Sequence, residues 1–429
     1  MKFTAAGDAI IQRRIHKDFE GYKELAPFIN QGDAKFFNLE TTLNKEGECP
    51  GAAISGGTYI RTEPEVIYDL MDFGFNMTTF ANNHALDFSY EGFYRTMETL
   101  DEAGIVHAGA GYNLSMAAAP KYLETSAGRV ALIAVNTSFN PAMMAGENSD
   151  RVMGRAGIND MRVTKHINVT AQELKFIRDL GERTKINAEM DITRREGYHP
   201  MVKENEAVLG DLKFKLAEET GYVMEINPAD LERVKKAIYE AEFAADYVMV
   251  SVHSHQISGD RKENPSKMLV DFAHFCIDNG ANAVVGHGPH LLRPIEVYKD
   301  SPIFYSLGDF ILELYSVEFA PADFYQKHGV DKSATVRELL ANRSKNFTVG
   351  LMTDKRMFLS VIPYWETEGK KLTKLTLLPV LGKMDGNKSE IGLPRKVDPK
   401  EVIDYLGEMS KPYGVTLTAE KDGTISCKW

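Results

Sequence analysis

The sequence predicts an α/β fold, an α+β sandwich of sheet covered by helices, with a helical insertion and a small β-rich C-terminal addition. Three observations carry this expectation. Short β-rich runs recur along the chain, each followed by polar or glycine-containing residues. Helical patterns with recognisable start and stop signals lie between several of them. The alternation of the two implies a sheet with helices packed on it.

In order, "KFTAA" runs into Gly7 and Asp8, "AKFF" into Asn38, Leu39 and Glu40, and "NMTTF" into Ala81, Asn82, Asn83 and His84. "RVALIAV" leads to Asn136, "DYVMVSV" to His253, "NAVVG" to His287, and "PIFYS" to Leu307, Gly308 and Asp309. Between them, Thr62 with Glu65 has the spacing of a capping box, Ser89 can cap "YEGFYRTMETL", and Ser266 and Gly280 bracket "KMLVDFAHFCIDN". From about Thr164 to Glu242 the chain is charged and reads as a helical insertion, with capping signals at Thr170 and Glu173 and again at Asn227 and Pro228. Such a segment could be a lid or substrate wall, or equally a solvated appendage. Beyond it, "RMFLSVIPYW" and "KLTKLTLLPVL" flank a turn and suggest a hairpin, a helix starts near Asp398 and Pro399, and "GVTLTAEKDGTISCKW" suggests a closing hairpin. The expected organisation is a main domain over 1–340 and a β-rich part over 341–429 packed on the same core.

Bulk composition narrows the function classes. With 429 residues, 43% of them hydrophobic, the chain can bury a large core. A formal net charge of -11 argues against nucleic acid, whose phosphates need a basic surface. Three widely spaced cysteines form neither a disulfide framework nor a zinc ribbon, and Cys276 reads as an ordinary buried thiol. No apolar stretch has the length of a membrane span, and no signal-peptide pattern opens the sequence, so a cytoplasmic protein is expected.

Ligands of open α/β sheets collect just past strand C-termini. Asp8, Glu40, Asn83, His253 and His287 each follow a strand-like run, and "GHGPH" brings His290 close to His287. Taken singly, Asp8 could cap a turn, Glu40 could start a helix, and Asn83 could favour a left-handed turn. Together they offer oxygen and imidazole donors without thiolates, a set for two hard or borderline divalent ions such as manganese, iron or zinc. Two such ions about 3.5–4 Å apart acidify a water held between them.

The ordered set "GD", "NLET", "ANNHALD", "HAGAGYNLSMAAAP", "VSVH", "GHGPH" and "YSLGDFI" resembles the CapA-type bacterial capsule, or poly-γ-glutamate, synthesis proteins of the calcineurin-like metallophosphoesterase superfamily. The resemblance implies that superfamily's fold, with Asp8 and His290 on a first metal, Glu40 bridging, and Asn83, His253 and His287 on a second. His84 matches the catalytic histidine, and Asp87 would orient its ring or raise its basicity. Three positions depart from the pattern. Ile10 replaces the histidine of an Asp-x-His start, His255 stands where glycine is common, and Asp309 replaces an asparagine. His255 is therefore a candidate for adding a metal ligand or contacting substrate, and Asp309 for contacting substrate.

Arg61 and Arg293 are candidates for gripping a carboxylate or phosphate, or are simply structural arginines. The expected function is a metal-dependent hydrolase acting on a peptide-like or γ-glutamyl amide in poly-γ-glutamate or capsule metabolism. The alternatives are a phosphoesterase, a non-catalytic accessory protein that binds an anionic polymer, and a metal-dependent epimerase. The expected partner is a small-molecule or peptide-like anionic substrate.

Overall fold

The first strand, Lys2–Ile10, is buried along nearly its whole length and lies inside the larger of two main sheets. This is a computed structural model, and it describes residues 1–429. On one side the first strand is followed by the parallel strands Ala34–Leu39, Met77–Thr79 and Val106–Ala108. On the other side, Leu359–Glu368 runs antiparallel and leads to Lys371–Gly382, Ile425–Lys428 and Thr416–Ala419. The strand Asp309–Leu312 joins the C-terminal end of the first strand in parallel. The smaller sheet has the order Ile295–Tyr298, Ser301–Phe304, Ala283–His287, Tyr247–His253, Gly128–Asn136 and Lys121–Thr125, with its central pairs parallel.

Successive side chains of a strand point to opposite faces, so adjacent phenylalanines serve different cores. Phe36 joins Phe3, Met77 and Trp365 of the larger sheet to Leu132, Met249, Val285 and Phe304 of the smaller one. Phe37, next along the strand, packs with Leu25, Leu70, Phe93 and Leu100 from the helices Glu20–Ile29, Val66–Asp72 and Ser89–Ala103. The result is an α/β sandwich of two sheets with helices on the outer face of the larger one. Trp365 and Tyr247 link the sheets directly, the indole N–H donating to the phenol oxygen at 3.0 Å, which satisfies a polar group that burial would otherwise strand.

Both C-terminal hairpins form, and Asp398 caps the helix Pro399–Val402. Two expected helix starts do not. Thr62 is drawn into a short strand with Arg61, so the next helix begins at Val66 without a side-chain cap. Ser89 is itself the first helical residue and caps nothing.

The segment read as a helical insertion needs correction. Arg162–Leu231 is a separate structural unit with its own four-stranded sheet, built from Val163–Val169, Glu206–Leu209, Leu212–Leu216 and Gly221–Ile226. Ala171–Thr184, with the expected capping box, and Ala188–Arg195 are helices within it, and the helix Pro228–Ala244 begins at the expected Asn227 and Pro228. The strands were hidden because lysine and glutamate alternate with apolar residues on a half-exposed sheet, while Gly210 and Asp211 supply a hairpin turn. Val169, Leu174, Ile177, Ala207 and Phe214 give this unit its own small core. In the protein as a whole, no helix is long and apolar enough to cross a membrane.

Candidate metal centre

The site begins where the first strand breaks its pairing register between Ala5 and Asp8. A Cβ on Gly7 would lie 1.8 Å from the carbonyl oxygen of Gly308, so only glycine permits this approach. The Asp8 backbone N–H donates to that same oxygen at 3.2 Å, and Asp8 pairs with Asp309 in the strand register. Two Gly-Asp dipeptides, 7–8 and 308–309, thus lie side by side. The Asp8 carboxylate accepts from the Asn38 amide at 2.6 Å and from the Gly288 N–H at 2.8 Å, which fixes its direction.

Glu40 and Asn83 come from the ends of the next two strands. Asn82 holds their loop by donating to the Leu39 carbonyl at 2.7 Å and accepting from the His84 N–H at 3.1 Å. Asn83 donates to the Gly56 carbonyl at 3.1 Å, and its own buried amide oxygen has no donor. His84 Nδ1 lies 2.6 Å from Asp87 Oδ2, while its Nε2 lies 3.9 Å from Glu40 Oε1. A side chain on Gly56 would collide with Asn83 and with the His84 ring, so this glycine keeps the approach to Nε2 open.

The histidines arrive from the smaller sheet. His253 and His287 are register partners at parallel strand ends, with their Nδ1 atoms 2.9 Å apart. His287 Nε2 meets the Ser251 hydroxyl at 2.7 Å, and its Nδ1 lies 3.5 Å from Asp8 Oδ1. His253 Nε2 lies 3.0 Å from His255 Nε2 and 3.8 Å from Glu40 Oε1. His290, in the left-handed region at φ 59°, meets Asp309 Oδ1 through Nδ1 at 3.1 Å.

Three groups of donors emerge, with ligand atoms within 4.8 Å of one another: Asp8, His253 and His287; Glu40, His253 and His255; and Asp8, His290 and Asp309. Both Glu40 oxygens, Asn83 Oδ1 and Asp309 Oδ2 accept no hydrogen bond, although these residues are only 0%, 9% and 2% exposed respectively. Buried acceptors without donors are costly, and a cation is the partner that would satisfy all of them at once. The donor set fits divalent ions.

The electrostatics agree. Burial, with Asp309 adding repulsion, pushes the Asp8 carboxyl up to about 6. Burial and then Asp8 hold Glu40 well above the usual carboxylate range. Burial pushes the His287 imidazole down to about 3 and holds His253 and His255 well below their ordinary value, where neighbouring imidazoles oppose protonation further. Neutral imidazoles present lone pairs, and a dication would reverse the unfavourable burial of the carboxylates.

Two sequence expectations meet a different geometry. Arg293 is fully buried, and its guanidinium donates to the carbonyls of Lys262, Ser254 and His255 at 2.9, 3.2 and 3.4 Å. Its donors hold the 254–262 loop in place of a substrate. Arg61 binds the Asn44 carbonyl and Glu63 and lies over the Phe319 ring, 4.7 Å from the centroid. His255 lies within a donor group, the first of its two expected places, and Asp309, expected at the substrate, lies within another. Sequence reasoning missed Asn38, Ser251 and Gly56, whose roles depend on neighbours distant in the chain.

Comparison with known proteins places these residues in context. Residues 2–313 match the family described as bacterial capsule synthesis protein PGA_cap. The uncharacterized protein y4sH of Sinorhizobium fredii is 31% identical over 431 residues, covering 97% of this chain and 91% of the relative. The capsule biosynthesis protein CapA of Bacillus anthracis is 22% identical, across 73% of this chain and 60% of that protein. The PGA biosynthesis protein CapA of Bacillus subtilis is 24% identical, across 72% of this chain and 62% of its own length.

Proposed function

Given that the chain belongs to the bacterial capsule synthesis protein PGA_cap family, we propose that it is a metal-dependent hydrolase of a peptide-like or γ-glutamyl amide in poly-γ-glutamate or capsule-type metabolism. One observation carries the hydrolytic reading: Glu40 Oε1, buried and without a donor, lies 3.9 Å from His84 Nε2, whose other ring nitrogen meets Asp87 at 2.6 Å. Asp8, Glu40, Asn83, His253, His255, His287, His290 and Asp309 would hold two divalent ions. Such ions, when bound, supply Lewis acidity and lower the pKa of water.

The protein's own groups do the rest. In amide hydrolysis the C–N bond breaks, the water oxygen ends on the carbonyl carbon, and a proton must reach the departing nitrogen. His84 is positioned to deliver that proton from Nε2, because Asp87 fixes the proton on Nδ1 and stabilises the imidazolium. An amide is favoured over a phosphoester because Asp8 and Asp309 add negative charge, while the guanidinium nearest the histidines is engaged by backbone carbonyls. A phosphoryl dianion asks for the opposite balance.

The test is turnover by the metal-loaded protein on a phosphomonoester, a phosphodiester and γ-glutamyl peptides. Release of amine from the peptides is expected. Phosphoester turnover with none on the peptides would replace this reading with a phosphoesterase.

A further inference from the structure

We infer that Asp309 is a direct ligand of the first metal ion, taking the place that Ile10 cannot fill, and that it makes this site prefer a harder ion than the second. The inference rests on the metal-centre reading proposed above. Ile10 lies in the apolar core between the sheets and offers no donor. Asp309 reaches Asp8 from another strand, because the Gly7–Gly308 approach sets the two in register. One of its oxygens accepts from His290, and the other, fully buried, has no partner.

The chemistry of the donors then separates the two sites. Asp8, His290 and Asp309 present two carboxylates and one imidazole. Carboxylate oxygens favour manganese or magnesium, whereas imidazole-rich sets such as that around His253, His255 and His287 suit zinc or iron. With Glu40, three buried carboxylates also bring the negative charge of the cluster closer to the four positive charges of two dications.

The experiment measures metal content and the affinities for Mn²⁺ and Zn²⁺, by elemental analysis and calorimetry, on wild type, Asp309→Leu and Asp309→Ala, neither of which keeps an oxygen donor. Wild type should bind two ions. Both variants should keep one ion, with Mn²⁺ affinity at the other site falling by more than about 100-fold, beyond the usual range for a residue that only orients a ligand. Asp309→Leu is similar in shape, so it keeps the test valid if Asp309→Ala fails to fold. If wild type binds two ions and the folded variant loses less than about 100-fold, the ligand assignment is overturned while the metal centre stands. Absence of divalent-ion binding by wild type would overturn both.

Discussion

Asp87 ties His84 to the loop above it: one oxygen lies 2.6 Å from His84 Nδ1 and accepts the Ile60 N–H at 2.9 Å, while the other accepts the Gly56 N–H at 3.0 Å. A single buried carboxylate thereby sets the tautomer of the histidine and the position of the glycine that leaves its ring accessible. Replacing His84 by Asn should leave metal content unchanged and lower the rate by about 10²–10⁴-fold, the usual contribution of a general acid. Loss of metal in that variant would move His84 into the coordination shell.

Asp87→Ala should do more than slow the reaction. It leaves two backbone N–H groups without acceptors, each costing about 1–3 kcal/mol when buried. Chemical denaturation should report this loss of stability, and an unchanged midpoint would mean that the 56–60 loop finds other partners.

Glu40 Oε1 lies within 4 Å of His84 Nε2, the proposed acid, and of His253 Nε2, a proposed ligand, and in the proposed bridging role both ions would depend on it. Wild type should therefore gain about 2.7 kcal/mol of stability per site from a divalent ion at 100 times its dissociation constant. Glu40→Ala should lose both ions and this gain together. Retention of full metal content by that variant would dismiss the bridging role.

Arg293→Ala should destabilise the fold by about 1–3 kcal/mol through the carbonyls it abandons, and Arg293→Lys should recover little, because one ammonium cannot reproduce the planar fork. A pure rise in KM with normal stability would instead return Arg293 to substrate binding.

The unit Arg162–Leu231 has its ends held together: Arg162 grips Asp230 through two side-chain hydrogen bonds of 2.7 and 2.9 Å and through its backbone N–H at 2.8 Å. With its core also internal, replacing the unit by a short glycine-serine linker should leave a cooperatively melting, metal-binding remainder. Aggregation or loss of the thermal transition would contradict that independence.

The α/β class was legible in the sequence, and so was the placing of several acidic and imidazole side chains at strand ends, because both follow from local pattern. Apolar runs leading to Glu40, His253 and His287 mark strand ends whatever the strands pair with, while Asp8 lies inside Lys2–Ile10 beside its register break. The expected hairpins near Glu366 and Gly423 also formed, since turn chemistry acts over a few residues. The sheet within Arg162–Leu231 was not legible, because its charged, half-exposed strands carry a weak apolar signal, and pairing across the chain decided their state. Nor could sequence assign Asp309 or Arg293. Asp309 faces Asp8 only because Gly7 and Gly308 approach across about 300 residues of chain, and Arg293 is structural only because three loop carbonyls surround its guanidinium. Residue type and periodicity fix which groups reach a strand end; which of them meet there is set by register and by backbone close packing, and these exist only once the sheets have formed.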